Sequence, residues 1–105
     1  MRSAYIDSGT KSLVVKKIFR SRVVAGWNSI SEVKLSRLPS LVDEIGMILV
    51  TPADVVFVRE TQAGYWDLFK SLGLESELPV DWYSKVEEGT VFTVAVSEMG
   101  RVTKI

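Results

Sequence analysis

Between positions 11 and 37 stand seven cationic side chains: Lys11, Lys16, Lys17, Arg20, Arg22, Lys34 and Arg37. Trp27 and Phe19 lie among them. Ammonium and guanidinium groups neutralise phosphates, and an exposed ring stacks on a base. Together with Trp27 this set is the candidate footprint of a nucleic acid, DNA or RNA. Its other reading is a solvated sheet face with both rings in the core. The net charge is zero, with 13 basic against 13 acidic residues in 105. The isoelectric point is near 6.3, whereas a dedicated nucleic-acid binder usually has a basic one. The zero is a cancellation. Residues 1–40 carry eight basic and two acidic side chains, and residues 41–105 carry five and eleven. Oppositely charged halves can pair between two copies of one chain and fix their register.

A second set is acidic: Glu75, Glu77, Asp81, Glu87 and Glu88, on a loop-like stretch that also holds Trp82 and Tyr83. Carboxylates hold hard cations or supply an acid–base pair. The Asp-x-Asp-x-Asp-Gly order of a calcium loop is missing, and no spacing selects two carboxylates as a pair. Solvated loop charge is the simpler reading. Tyr65, Trp66, Trp82 and Tyr83 are candidate interface anchors, because Trp and Tyr join apolar area to a polar tip. The chain has neither Cys nor His. Disulfides, thiolate nucleophiles, thiolate-bound zinc, iron–sulfur clusters and every histidine-based scheme are excluded. No catalytic residue, metal ligand or cofactor is assigned.

Asp7-Ser8-Gly9-Thr10-Lys11-Ser12 is not a P-loop, since Thr10 separates Gly9 from Lys11 and no helix follows. The run Ile6-Asp7-Ser8-Gly9-Thr10 resembles the first phosphate-binding hairpin of actin-like ATPases and sugar kinases. That resemblance implies an Asp on metal-bound water and a Gly-Thr turn on phosphate. It covers about six residues of a family that needs two larger domains and a second phosphate loop. Read on its own, the run is a hairpin turn with Asp bonding its own backbone. Val96-Ser97-Glu98-Met99-Gly100-Arg101-Val102-Thr103 resembles the first strand pair of AbrB-like swapped-hairpin DNA-binding proteins, and otherwise reads as a generic hairpin.

These side chains must be positioned by strands. Val, Ile and Thr number 28 of 105, and β-branched residues favour a pleated surface. Short strands are expected at 4–6, 13–19 and 22–27, with a bulge or a basic face where Lys16 adjoins Lys17. Residues 31–35 alternate cleanly. Ser40 reads as the N-cap of a short helix through Leu41, Val42 and Ile45 that Gly46 ends. Residues 47–50 form a buried strand. Thr51-Pro52-Ala53-Asp54 suits either a turn into a strand at 55–59 or a helix start; the turn is favoured, with a helix at 63–72 capped by Gly73. Residues 91–96 read as a central strand, and 101–105 as its hairpin partner.

The expected fold is one α+β domain over 1–105. It has four to six mostly antiparallel strands, in a curved or barrel-like sheet, with one or two short helices on one face. No apolar run spans a bilayer and no signal peptide is visible, so a cytoplasmic protein is expected. The expected function is a small non-catalytic interaction protein, a homodimer with a charge-complementary surface. The alternatives are nucleic-acid binding through the basic strands and, third, an enzyme using carboxylates and a divalent metal.

Overall fold

Along residues 32–35 charged and apolar side chains alternate, and that period of two puts Val33 and Leu35 on one dry face of a strand. The computed structural model describes residues 2–16, 21–38, 44–52 and 54–96. The strands are β1 (Arg2–Ser3), β2 (Tyr5–Asp7), β3 (Ser12–Lys16), β4 (Ser21–Gly26), β5 (Glu32–Leu38), β6 (Glu44–Val50), β7 (Val55–Arg59) and β8 (Phe92–Ala95). The helices are α1 (Tyr65–Ser71) and α2 (Trp82–Glu87), with single 3-10 turns at Trp27–Ser29 and Leu74–Glu77.

The strands form a five-stranded sheet in the order β1-β7-β6-β5-β8 and a three-stranded sheet β2-β3-β4. Every pairing is antiparallel except the two-residue β1 on β7. The α+β class therefore holds. The strands are more numerous than expected, β3 is shorter and β5 and β6 are longer, and among the described residues the two sheets do not close into a barrel.

Register explains the core. Val33 pairs with Leu49 and Leu49 with Val56; Leu35 pairs with Met47 and Met47 with Val58. All six share one face and are buried. Tyr65, Leu68, Phe69 and Leu72 of α1 and Val86 of α2 pack with them, as do Leu13, Trp27 and Ile30 from the three-stranded side. Both helices thus cover one face of the larger sheet, while Lys34, Ile48 and Phe57 on its other face stay partly exposed.

Several expectations are corrected. No helix ends at Gly46: Leu38 lies in β5 and Glu44–Gly46 in β6, while residues 39–43 fall outside the described ones. Of the residues whose spacing suggested that helix, Ile45 lies in β6 opposite Arg37, and Leu38, just ahead of them, ends β5 opposite Glu44. The acidic loop around Trp82 is instead a 3-10 turn followed by α2. Residues 92–95 form an edge strand among the described residues, not a central one. The expected hairpin partner at 101–105 lies outside them.

The turn, strand and helix over 51–73 follow expectation. Thr51 N–H donates to the Asp54 carbonyl, closing the turn, and Gly73 takes a left-handed φ of 68° just past α1. The register shifts at Leu13/Val14, where β4 carries one extra residue between Val23 and Ala25, whereas Lys16 pairs regularly with Ser21; Lys17 lies outside the described residues.

Candidate interaction surface

Apolar spacing of one, three and four on α1 sets Tyr65, Trp66 and Phe69 beside each other, and the start of α2 adds Trp82 and Tyr83. Five rings meet there. Centroids are 4.9 Å apart for Tyr65–Trp66, 5.2 Å for Trp66–Phe69, 5.3 Å for the stacked Phe69–Trp82 pair and 5.4 Å for Trp82–Tyr83. The four residues singled out as anchors are thus one cluster, joined across the helices by the Phe69–Trp82 stack and by Trp66–Trp82 at 6.5 Å. Their exposure is graded. Tyr65 and Phe69 are buried, Trp82 and Tyr83 half-buried, and Trp66 is 43% exposed. Val80, just ahead of α2, is fully exposed.

The fringe of this cluster is acidic. Asp67, Glu75, Asp81, Glu87 and Glu88 are exposed and Glu77 is half-buried. Lys70 and Lys85 are the cations of the same segment, and Lys85 is spent on Asp81, 3.7 Å away one helical turn earlier. Among the described residues no three carboxylates converge as a metal site.

Under the rings lies a phenol–carboxylate pair. The Tyr83 hydroxyl donates into the Glu60 carboxylate, 2.7 Å from each oxygen, and Arg37 and Glu87 line the same recess. Burial pushes the Tyr83 phenol up to about 12, helped by its bond to Glu60 and by the charges of Glu60 and Glu87. Burial also raises the Tyr65 phenol, aided by the charge of Glu60 and by Tyr83. Nothing in the sequence spacing announces Glu60, because its partner is 23 residues away. The Tyr83 phenol is neutral in the fold where a free tyrosine, near 10, has ionised. Its contribution to stability is complete below pH of about 10 and is lost as pH rises from there through about 12. Urea midpoints measured across this window should fall less steeply for Tyr83→Phe than for the unaltered chain. Equal slopes would remove Tyr83 from the titration.

The cationic set does not gather on one surface. Lys34 and Arg37 are an odd number of residues apart on β5, so they lie on opposite faces. Lys34 sits 3.9 Å from Glu32, and Arg37 lines the recess with Glu60 and Glu87. Lys11 is exposed in the β2–β3 turn. Lys16 and Arg22 occupy neighbouring register positions on β3 and β4. Lys17 and Arg20 lie outside the described residues. Trp27 is buried, with its indole N–H donating to the Ser12 carbonyl at 3.3 Å. It is a core residue and offers no face to a base.

The chain matches no protein family, curated protein or solved structure. Its surfaces therefore speak through their chemistry alone. In the turn that resembled a phosphate loop, Asp7 accepts from the Gly9 and Thr10 N–H groups at 3.0 and 3.1 Å. The Thr10 N–H first, then its hydroxyl and the Gly9 N–H, hold the Asp7 carboxyl below the usual aspartate range. Those donors are turned inward on Asp7, and the positive φ of the turn falls on Lys11, at 51°. This geometry is that of an Asx turn and does not present a nest to phosphate. Among the described residues no helix is long and apolar enough to cross a membrane.

Proposed function

We propose that the chain is a small interaction protein that acts by binding and associates with a second copy of itself. The acidic, ring-bearing helical surface of one copy docks on the basic β3–β4 strands of the other, and the reverse contact closes the pair. The observation that carries this reading is Trp66, an indole 43% exposed at the head of a five-ring cluster and fringed by carboxylates. Single exposed apolar residues are common, but a half-exposed Trp on a packed aromatic base resembles the anchors that dominate interfaces. Charge supports the choice of partner, since Lys16 and Arg22 stand on β3 and β4. Reciprocal contact of two unlike patches gives twofold symmetry and leaves no open end for a fibre.

Sedimentation equilibrium at about 50 mM and about 500 mM salt tests this, because screening weakens exposed charge pairs. A dimer that loosens with salt is expected, and Trp66→Ser should raise its dissociation constant by about thirtyfold. A strict monomer at high micromolar concentration in both salts would sink the proposal. Nucleic-acid binding is the second reading, and it rests on Lys16 and Arg22 standing one register position apart on β3 and β4. A mixed oligonucleotide pool at about 50 mM salt decides it, since phosphate contacts give affinity that falls steeply with salt.

A further inference from the structure

The outer face of the three-stranded sheet carries a row of apolar side chains that nothing among the described residues covers. Tyr5 pairs with Val14, and Val14 with Val23. Tyr5 and Val23 are 47% and 62% exposed. The turn ahead of α1, Gln62–Gly64, stands beside this row as a wall. Strand and wall touch: a Cβ placed on Gly64 would lie 2.8 Å from both Ile6 Cγ2 and Ser8 Oγ. The result is a groove of about 870 Å³, within the size range of small-molecule sites.

One end of the groove is anionic. Asp7 lines it. Asp67 reaches the same end, where its Oδ2 accepts from the Ser8 hydroxyl at 3.4 Å. Neither carboxylate makes an ion pair among the described residues. Lys11, in the same turn as Asp7, lines a neighbouring recess with Trp27 and Leu72 instead. Lys16 stands four residues along β3 from Ser12, the partner of Asp7, so it is about 13 Å from this end.

We propose that this groove binds a small organic cation with an apolar body, an alkyl- or arylammonium, with its charged head at Asp7 and Asp67 and its body along Tyr5, Val14 and Val23. The combination selects its ligand. Two carboxylates without an ion pair among the described residues repel anions, and two alone are too few oxygen ligands for a bare divalent cation, which wants six or more. An apolar floor gives a hydrated inorganic ion nothing, but it shelters a phenyl or alkyl group from water. The groove shares Asp67 with the acidic fringe and β3–β4 with the basic side of the proposed self-association, so sedimentation of the Asp7→Asn, Asp67→Asn variant beside the titrations tells failure of one reading from failure of the other.

Three probes with one body and different heads test it: phenylbutylammonium, phenylbutanol and phenylbutyrate. Each is titrated into the full chain and followed by amide shifts in two-dimensional NMR. The ammonium is expected to bind about tenfold more tightly than the alcohol, with shifts centred on residues 5–8 and 62–64, and the carboxylate more weakly than either. The Asp7→Asn, Asp67→Asn double variant should bring the ammonium down to the affinity of the alcohol. An Asn oxygen still accepts the Gly9, Thr10 and Ser8 donors, so the turn survives. Val23→Ser, on a largely exposed side chain, should weaken all three probes. Equal affinity for the three heads, shifts centred on Trp66, or no shift at millimolar probe would each overturn the proposal.

Discussion

The Gly46→Ala substitution is expected to lower stability by about 3 kcal/mol, a fall in Tm on the order of 10 °C or more for a domain of this size. Gly46 sits in the middle of the larger sheet, paired with Ser36 on one side and Arg59 on the other. A Cβ there would collide with the Val58 carbonyl oxygen and come within 2.5 Å of Leu38 Cδ1. Leu38 is buried because it folds over this bare position. Its methyl could swing away, but the carbonyl belongs to the ladder between β6 and β7 and cannot. The Leu38→Ala background separates the two obstacles. If the backbone oxygen dominates, the double variant regains nothing over Gly46→Ala. Full recovery would assign the clash to Leu38 alone. Thermal unfolding of the four chains checks this. A loss under about 0.5 kcal/mol, the size of an ordinary surface change, would mean that position 46 is not in the sheet interior.

Gly46 also marks where sequence reasoning failed and why. Its neighbours offered a helix N-cap at Ser40 and apolar residues at helical spacing. Those are local signals, and β5–β6 pairing over seven positions outweighs them. Pairing partners are set by tertiary context, which spacing along the chain does not encode. The same limit hid α2. Residues 75–88 look like a charged loop until Trp82, Tyr83 and Val86 are seen to share one helical face. The ion pair of Asp81 with Lys85 on the next turn was a usable signal. Where local chemistry forces a conformation, the sequence was legible. Thr51-Pro52 made a turn, Asp7 bonded the amides two and three residues on, and Gly73 took the left-handed cap. Alternation in 32–35 placed Val33 and Leu35 inside. Of the candidate sites, the four rings were found but not their convergence, which needs the Phe69–Trp82 stack and the Trp66–Trp82 contact between the helices. The cationic set was found by type alone, and register then sent Lys34 and Arg37 to opposite faces and Trp27 into the core.

Tyr65 supplies the second large effect, and it separates packing from recognition. Its ring is wholly buried, and its hydroxyl has no hydrogen-bond partner among the described residues. An unsatisfied buried hydroxyl costs about 1–3 kcal/mol, while the ring fills space that α1 and the sheet share. The two parts of the side chain should therefore act in opposite directions. Tyr65→Phe is expected to stabilise the fold by about 1 kcal/mol, whereas Tyr65→Ala should cost about 3–5 kcal/mol, as loss of a large core aromatic does. Denaturant unfolding reads both. Destabilisation by Tyr65→Phe would show that the hydroxyl has a partner, such as an enclosed water. The pair also bears on self-association. A ring with no exposed area cannot touch a second copy, so Tyr65→Phe should leave the sedimentation of the dimer unchanged while Trp66→Ser loosens it. Equal loosening by the two would mean that the helical surface works through the packing of α1 and not through the exposed indole, and the anchor would have to be sought in the half-buried rings of α2.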